Sequence, residues 1–316
     1  MINTKVAAVI VTFNRKKLLI ECLHAILQQS VPVDKIFVIN NASTDGTEKL
    51  FEAGGEFDAK KIICVNMDSN TGGSGGFYEG MKVSSSSEVD WLWIMDDDTI
   101  PTSDCLEQLL AADDFIDDDN TSFYASAVFG SAGEFMNVPN IDTSESANGY
   151  PHFYKYLGEG IINIADATFV SLLIRKDAVL RCGLPCKDYF IWGDDGEYTL
   201  RLTHFYGPAY MVGKSIAIHK RMGAKKLDLS NFQDENRIKM YHYYVRNNIV
   251  NQLYYKKDRN RAITIIKKLA QAVCSGKYLG KKKGAIKART VWKGTIEGFS
   301  QFNTFKTYID AQISKK

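Results

Sequence analysis

Short apolar runs alternate with segments of helical period through the first 130 residues of the chain. Residues 6–13 form a continuous run rich in β-branched side chains, and further apolar runs occupy residues 36–39, 62–65 and 91–95. Apolar side chains at helical spacing separate the first two runs, and a Gly-rich stretch at residues 72–76 opens another helix. Strands joined by helices predict an α/β fold with parallel strands and right-handed crossovers.

Polar clusters follow each of these predicted strands. They occupy residues 12–15, 40–47, 66–76 and 96–98. Ligands of open α/β sheets bind beyond the carboxyl ends of the strands. We therefore expect the four clusters to meet in one crevice.

The charge of the chain is divided between two parts. Its 316 residues carry a formal net charge of only +2, but residues 256–316 contain 16 Lys/Arg and 3 Asp/Glu, a net +13. The remainder carries −11, and such asymmetry indicates different partners for the two parts. A content of 45% apolar residues is typical of a globular protein and excludes a disordered chain, a collagen-like fibre and a small disulfide scaffold.

Targeting and redox signals in the sequence are few. No run of 18 apolar residues predicts a transmembrane helix, and residues 6–13 lack the basic flank and cleavage site of a signal peptide. The six cysteines include no Cys-x-x-Cys pair. The spacing of Cys182 and Cys186 suits a metal, but no further Cys or His stands close to them in the sequence. We therefore expect buried free thiols in a reducing cytosol.

Three carboxylates, Asp96, Asp97 and Asp98, directly follow an apolar strand. Carboxylates at a strand end repel one another unless a cation lies between them, and oxygen ligands suit Mg²⁺ or Mn²⁺. Residues 83–154 contain no Lys or Arg, so we expect no internal counter-ion on this face. A solvated acidic turn is the alternative, and it is our interpretation of residues 117–119.

A Gly-rich segment at residues 70–77 follows the third strand. Its glycines permit close backbone approach, and free N–H groups at a helix start can hold a phosphate or sugar hydroxyls. The segment is not a P-loop, because no Gly-Lys-Ser/Thr follows, and not a dinucleotide fingerprint, because it does not follow the first strand. By itself it leaves ligand-binding and purely structural roles open.

A third pattern, Trp-Gly-Asp-Asp-Gly-Glu at residues 192–197, places Asp194 and Asp195 beside an aromatic side chain. Desolvation and like charge raise the pKa of a carboxyl group, which suits a general base. Acidic residues in the first turn of a helix are the structural alternative. His219 ends a short apolar strand, where a packed or surface histidine is the more common role.

Together these motifs resemble the inverting glycosyltransferases of family 2, which have the GT-A nucleotide-sugar fold. The matching segments are residues 9–15, 41–47, 96–98 and 194–195. The Gly-rich segment and the Trp-x-Asp-Asp-x-Glu pattern are most similar to those of galactofuranosyltransferases, with rhamnosyltransferases as close neighbours. The resemblance implies a Rossmann-like mixed sheet flanked by helices. We expect a catalytic domain over residues 1–255 and a basic helical segment over residues 256–316.

The resemblance implies a role for each matching residue. The metal ligands would be Asp96, Asp98 and His219, and the catalytic base would be Asp195 with Asp194 as its neighbour. Trp192 and Glu197 would contact the acceptor. The residues that would bind the donor are Thr12, Asn14, Arg15, Asn40, Asn41, Asp45, Asn70, Gly72, Gly73, Ser74, Gly75 and Asp97.

The implied reaction transfers a sugar, with galactofuranose from UDP-galactofuranose favoured, to a hydroxyl of a growing, lipid-linked cell-surface polysaccharide. The implied cofactor is Mn²⁺ or Mg²⁺. The alternatives are a dTDP-rhamnose-dependent rhamnosyltransferase and, from other classes, a nucleotidyltransferase or a non-catalytic carbohydrate-binding protein. A nucleotidyltransferase would need a Gly-rich loop with a basic residue after the first strand, and residues 12–15 contain no Gly.

Apolar side chains recur at helical spacing in the basic tail. They form two stripes, one of Ala262, Ile265, Ile266, Leu269 and Val273, and one of Trp292, Ile296, Phe299 and Phe302. Basic amphipathic helices bind anionic membrane surfaces, so we expect a cytoplasmic protein that docks peripherally at the inner face of the cell membrane. Packing on the body or in a homo-oligomer is the alternative, and nucleic acid is not an expected partner.

Overall fold

The computed structural model describes residues 4–57, 61–221, 227–256 and 258–313. Within these residues a ten-stranded mixed sheet forms the centre and helices cover both of its faces. The strands are β1 (Val6–Thr12), β2 (Lys35–Asn40), β3 (Ile62–Asn66), β4 (Trp91–Asp96), β5 (Thr99–Pro101), β6 (Phe123–Phe129), β7 (Asn140–Ile141), β8 (Ile161–Asp166), β9 (Leu172–Arg175) and β10 (Ala209–His219). The helices are α1 (Lys16–Leu27), α2 (Gly72–Ser85), α3 (Cys105–Ile116), α4 (Lys176–Cys182), α5 (Asp194–Phe205), α6 (Glu235–Tyr255), α7 (Asp258–Cys274), α8 (Gly284–Ser300) and α9 (Phe302–Ile313).

The sheet has the strand order β3-β2-β1-β4-β9-β6-β10-β8-β7, and β5 pairs with β10. β1 is parallel to β2 and β4, and β2 is parallel to β3. β9 is antiparallel to both β4 and β6. The prediction of a mixed sheet flanked by helices is therefore confirmed, and the carboxyl ends of β1, β2, β3 and β4 lie at one edge.

Successive residues of β1 point to opposite faces of the sheet. Ala8 and Ile10 pack in the same cluster as Leu23 of α1, whereas Val9 packs in the cluster that contains Phe77 of α2. The whole strand is buried, which explains why its sequence is continuously apolar and does not alternate.

The prediction of free thiols is confirmed, but the prediction that they are buried is only partly correct. All six cysteines are unpaired, and four of them are buried. Cys274 at the end of α7 is exposed and Cys64 is half-buried, so the expectation of burial is wrong for these two.

The helices of the basic tail pack on the body of the protein. α8 lies along α6, and Phe305 of α9 meets Tyr189 edge to face with ring centroids 5.0 Å apart. The predicted apolar stripe is not the packed face of α8, since Trp292 and Ile296 are 41% and 61% exposed. Packing on the body is therefore confirmed for α8 and α9, but through a different face. The domain boundary at residue 255 stays a prediction.

Candidate active site

A crevice of about 810 Å³ lies at the carboxyl edge of the sheet. One wall comes from β1, β4 and the loops that follow the strands, and the other comes from α6 and α8. The predicted site residues that line it are Thr12, Arg15, Asn41, Asn70, Gly72, Gly73, Asp96 and Asp97. Residues from all four predicted polar clusters therefore meet in one crevice.

Asp96, Asp98 and His219 form a cluster with metal-ligand geometry. One ligand atom from each residue lies within 4.8 Å of the other two. β5 is antiparallel to β10, which pairs His219 with Thr99 and so brings it beside Asp98. Asp98 is buried, and its Oδ1 makes no hydrogen bond of acceptable geometry, although His219 Nε2 lies 3.1 Å away. A buried carboxylate oxygen in this state fits a hard divalent cation.

Asn137 orients the His219 ring. Its Nδ2 donates a hydrogen bond to Thr168 Oγ1 at 2.9 Å, and its Oδ1 lies 2.8 Å from His219 Nδ1. An amide oxygen can only accept, so His219 Nδ1 donates this hydrogen bond and the other ring nitrogen, Nε2, faces Asp98. Partners of this kind fix the tautomer and the ring direction of metal-binding histidines.

Arg15 pairs with the acidic residues that follow β4. Its Nη1 lies 2.7 Å from Asp98 Oδ2 and 3.3 Å from Asp97 Oδ1, and Thr12 Oγ1 donates to Asp97 Oδ2 at 2.7 Å. The expectation that this face has no internal counter-ion is wrong. The loop after β1 brings Arg15 to the end of β4. A count of Lys and Arg in the sequence around Asp96 does not detect an arginine that is distant in the chain.

The three carboxyl groups differ in their proton affinity. Burial, followed by the charges of Asp98 and Asp97, raises the pKa of Asp96 well above its usual value. Burial raises the pKa of Asp97 to about 6 against the opposing charge of Arg15. Burial also acts to raise the pKa of Asp98, but His219 and Arg15 together hold it below its usual value. With a single arginine against three carboxyl groups, Asp96, Asp97 and Asp98 keep an excess of negative charge when they are ionised.

Asn41 and Asn70 hold the Gly-rich segment at the crevice. Asn41 Nδ2 donates to Gly72 O at 2.9 Å and to Asn70 Oδ1 at 3.2 Å. Gly72 has a φ of +74°, and a Cβ there would lie 2.0 Å from Phe190 O, so only glycine fits. The segment thus presents Gly72 and Gly73 to the crevice beside two carboxamides.

Asp194 and Asp195 begin α5, directly after the loop that contributes Phe190 and Ile191 to the crevice lining. Asp194 is buried and Asp195 is half-buried. Burial raises the pKa of Asp195 to about 6, and burial together with the charge of Asp195 raises that of Asp194 to about 7. The charge of Asp194 contributes less than those of Asp98 and Asp97 to the raised pKa of Asp96, and it places Asp194 within electrostatic reach of Asp96. A carboxylate that titrates near neutral pH suits a general base.

Asn247 of α6 holds the loop that precedes α5. Phe190 and Trp192 in this loop have φ values of +65° and +60°, a costly conformation for bulky residues. Asn247 is fully buried, and its Nδ2 donates to the carbonyl oxygens of Tyr189, Ile191 and Trp192 at distances of 3.0, 3.1 and 2.8 Å. These bonds fix the approach to Asp194, and no local sequence pattern marked Asn247.

Residues 7–182, more than half of the chain, match the family described as Glycosyl transferase family 2. The chain belongs to glycosyl transferase family 2. The resemblance found in the sequence motifs is therefore confirmed.

Individual proteins resemble this chain in sequence over a part of its length or in fold over most of it. Galactofuranosyltransferase GlfT1 of Mycolicibacterium smegmatis (strain ATCC 700084 / mc(2)155) is 31% identical over 96 residues, a segment that spans 30% of this chain and 30% of GlfT1. The fold is similar to that in the crystal structure of S. aureus TarS 1-349, with a TM-score of 0.55 and 14% identity. The match covers 98% of this chain and 88% of the TarS chain in that structure. GalNAc-T7 with UDP, GalNAc and Mn²⁺ is similar with a TM-score of 0.56 and 14% identity, covering 86% of this chain and 57% of that protein. These likenesses confirm the GT-A fold.

Several predicted donor residues of this family 2 protein are not among the residues that line the crevice. Asn40 is buried and donates to Asn66 Oδ1 at 2.7 Å. Asn14 Oδ1 accepts a hydrogen bond from Thr44 N at 2.7 Å, and Asp45 accepts one from the backbone at the start of α1 at 2.9 Å. In the described structure these side chains shape the two loops after β1 and β2, and a direct contact with the donor stays a prediction.

The first turn of α2 is packed against the body. Ser74 is buried, and its hydroxyl donates to Cys186 O at 2.6 Å. A Cβ at Gly75 would lie 2.3 Å from Thr71 Oγ1. Ser74 and Gly75 therefore do not line the crevice as expected, because the helix turns them toward its own packing partners.

Glu197 does not face the crevice, so the prediction that it contacts the acceptor is wrong. It is fully buried, and its Oε1 accepts hydrogen bonds from Arg201 Nε at 3.0 Å and from Tyr255 OH at 2.8 Å. A buried ion pair of this kind cannot release one partner without a large cost. Trp192 is half-buried near Phe232, and its role toward the acceptor stays a prediction.

The wall on α6 and α8 was not predicted from the sequence. Its lining includes Lys239, Tyr243, Arg289 and Lys293. No motif marks these residues. The signal that could have indicated them is their spacing of four residues on each helix, which places both members of a pair on one face.

Proposed function

We propose that this family 2 protein is an inverting glycosyltransferase that moves galactofuranose from UDP-galactofuranose to a hydroxyl of a growing, lipid-linked cell-surface polysaccharide. The observation that carries this proposal is a cluster suited to a cation at the edge of the sheet, together with a carboxyl pair suited to a base directly after the loop that lines the crevice. The cluster of Asp96, Asp98 and His219 suits a cation, and the pair of Asp194 and Asp195 suits a base. The partial likeness to GlfT1 favours galactofuranose, and complexes of TarS with UDP and with UDP-GlcNAc favour a uridine nucleotide.

The chemistry follows from these two groups. Asp195 would accept the proton of the acceptor hydroxyl, and the resulting oxygen nucleophile would attack the anomeric carbon from the side opposite the nucleoside diphosphate. A single displacement inverts that carbon, as it does when an inverting glycosidase activates water. Asp96, Asp98 and His219 would hold Mn²⁺ or Mg²⁺, which neutralises charge on a diphosphate leaving group.

UDP-galactofuranose should raise the melting temperature more than any other nucleotide sugar in the presence of Mn²⁺. A ligand at about 100 times its Kd stabilises the folded state by about 2.7 kcal/mol, which corresponds to a shift of roughly 5 °C. The measurement is a thermal-shift series with UDP-galactofuranose, dTDP-rhamnose and UDP-GlcNAc. UDP and dTDP alone are the controls that separate nucleotide binding from sugar binding.

The other outcomes of this series each contradict the proposal in a defined way. A larger shift with dTDP-rhamnose would identify a rhamnosyltransferase. A shift without hydrolysis or transfer of any nucleotide sugar would identify a carbohydrate-binding protein.

We also propose that the exposed apolar face of α7 docks on an anionic membrane, where a lipid-linked acceptor would be found. Ile266 and Val273 are 68% and 67% exposed, and Leu269 is 44% exposed. They recur at helical spacing in a segment of net charge +13. Each basic residue near an anionic lipid surface contributes about 1 kcal/mol. Among the described helices, none is long and apolar enough to cross a bilayer.

The double variant Ile266→Asp/Val273→Asp should lose most of its binding to vesicles of phosphatidylcholine and phosphatidylglycerol. Wild-type protein should pellet with these vesicles, and less so at high salt, because salt screens the charge attraction. The matched control is Val138→Asp/Leu180→Asp, which changes two residues on the body that are 70% and 58% exposed. Equal pelleting of the Ile266/Val273 variant and wild type would contradict docking through α7. Self-association that this variant alone abolishes would assign the face to a second copy of the chain.

A further inference from the structure

Three basic side chains on α6 and α8 line the crevice that also contains Asp96 and Asp97. They are Lys239 on α6 and Arg289 and Lys293 on α8. All three are exposed. Within the described residues Lys239 and Arg289 form no ion pair, and Lys293 reaches only Glu297, at 3.8 Å. The charges of Lys239 and Arg289 are therefore not neutralised by a carboxylate of the described residues, and that of Lys293 is only weakly paired.

Helical spacing places these residues on the faces of α6 and α8 that line the crevice. Arg289 and Lys293 are one helical turn apart, and Lys239 is one turn from Tyr243 on α6. The Tyr243 ring stacks on Phe190 with centroids 4.9 Å apart. Phe190 belongs to the loop that leads to Asp194. The basic wall thus borders both the Gly-rich segment and the approach to the candidate base.

Arg15, which pairs with Asp97 and Asp98, lies within electrostatic reach of a further cation, Arg237. The charges of Arg221 and Arg15 lower the pKa of Arg237, after the effect of burial. Basic residues that border one crevice repel one another, and an anion between them offsets that repulsion. Arg and Lys bind phosphate groups through charge-assisted hydrogen bonds.

We propose that Lys239, Arg289 and Lys293 bind a phosphate or diphosphate group inside the crevice. This inference rests on the proposed function only for the source of that group. The source is either the diphosphate of the donor or the phosphate that links the acceptor to its lipid. In both cases the tail contributes directly to the substrate crevice.

The test is the binding of inorganic pyrophosphate in EDTA, where no divalent cation can hold the ligand. The double variant Arg289→Ala/Lys293→Ala should bind pyrophosphate at least about tenfold more weakly than wild type, since each charge-assisted bond contributes that much or more. The matched control is Lys35→Ala/Arg259→Ala, which removes one Lys and one Arg that are exposed and outside the crevice lining. The control should bind as wild type does.

Equal affinity of the Arg289/Lys293 variant and wild type would overturn the proposal, and so would an equal loss in the control. A repeat with saturating UDP separates the two origins. Competition between UDP and pyrophosphate assigns the wall to the donor diphosphate, and simultaneous binding assigns it to the acceptor phosphate. Pyrophosphate binding needs no sugar transfer, so failure of transfer with this result intact would refute the proposed function alone.

Discussion

Replacing Asp195 with asparagine should lower turnover by about 10²–10⁴-fold while donor affinity stays nearly unchanged. Asparagine keeps the shape of the side chain, and its oxygen can still accept the hydrogen bond that Gly196 N donates at 2.7 Å. The variant loses the negative charge of the side chain and with it the capacity to accept a proton. Steady-state turnover and a UDP titration measure the two effects separately.

Asp188→Asn is the matched control for this variant. Asp188 is exposed and lies on the same segment before α5, so the same change of carboxylate to amide occurs away from the base. Wild type and control should both lose activity as the pH falls through about 6, because burial raises the pKa of Asp195 to about that value and a protonated carboxyl cannot accept a proton. Near-normal turnover of Asp195→Asn would remove Asp195 from the role of base.

Chelation of divalent cations with EDTA should abolish transfer, and added Mn²⁺ or Mg²⁺ should restore it. Asp98→Asn should lower turnover by at least about 100-fold even with saturating Mn²⁺, since stabilisation of leaving-group charge by a metal contributes several kcal/mol. The physical reason is that Asp98 presents a buried oxygen beside His219 with no hydrogen bond of acceptable geometry. An amide there supplies no negative charge to a cation.

Asp119→Asn tests whether the loss is specific to the cluster. Asp119 lies in the exposed acidic turn at residues 117–119, and its variant should keep full activity and the same response to EDTA. Full wild-type activity in the chelator would contradict the metal role of Asp96, Asp98 and His219.

The edge of the sheet that carries the site could be predicted from the sequence. β1 and β4 are buried strands, so they appear as apolar runs, and the polar residues after them mark where each run ends. Parallel pairing then brings these ends together, as Thr12 beside Asn40 and Val11 beside Asp96 show. Local patterns and one topological rule were sufficient for this part.

The partners of the site residues could not be predicted in this way. Arg15 and Asp98 are 83 residues apart, and Asn137 and His219 are 82 residues apart. These contacts depend on how loops fold across the sheet edge, which periodicity does not encode. Glu197 is different, because Arg201 four residues later is a sequence signal for a helical ion pair. That signal favoured a structural role for Glu197 over contact with the acceptor.

The face through which α8 packs could not be predicted either, because small residues form it. A hydrophobic stripe predicted the face of Trp292 and Ile296, but the face that meets α6 contains Gly294 and Gly298. A Cβ at Gly294 would lie 2.6 Å from His242 O, and one at Gly298 would lie 2.9 Å from the Cβ of Ile249. Small residues allow the two helices to approach closely, and a scale of hydrophobicity does not register them.

This close contact has a consequence for motion. With so little space between α6 and α8, sliding of one helix past the other would bring backbone and side chains into collision, so we expect the two helices to move as one unit. Asn247 on α6 is bonded to the loop that leads to Asp194. A displacement of α6 would therefore also move the loop that leads to Asp194.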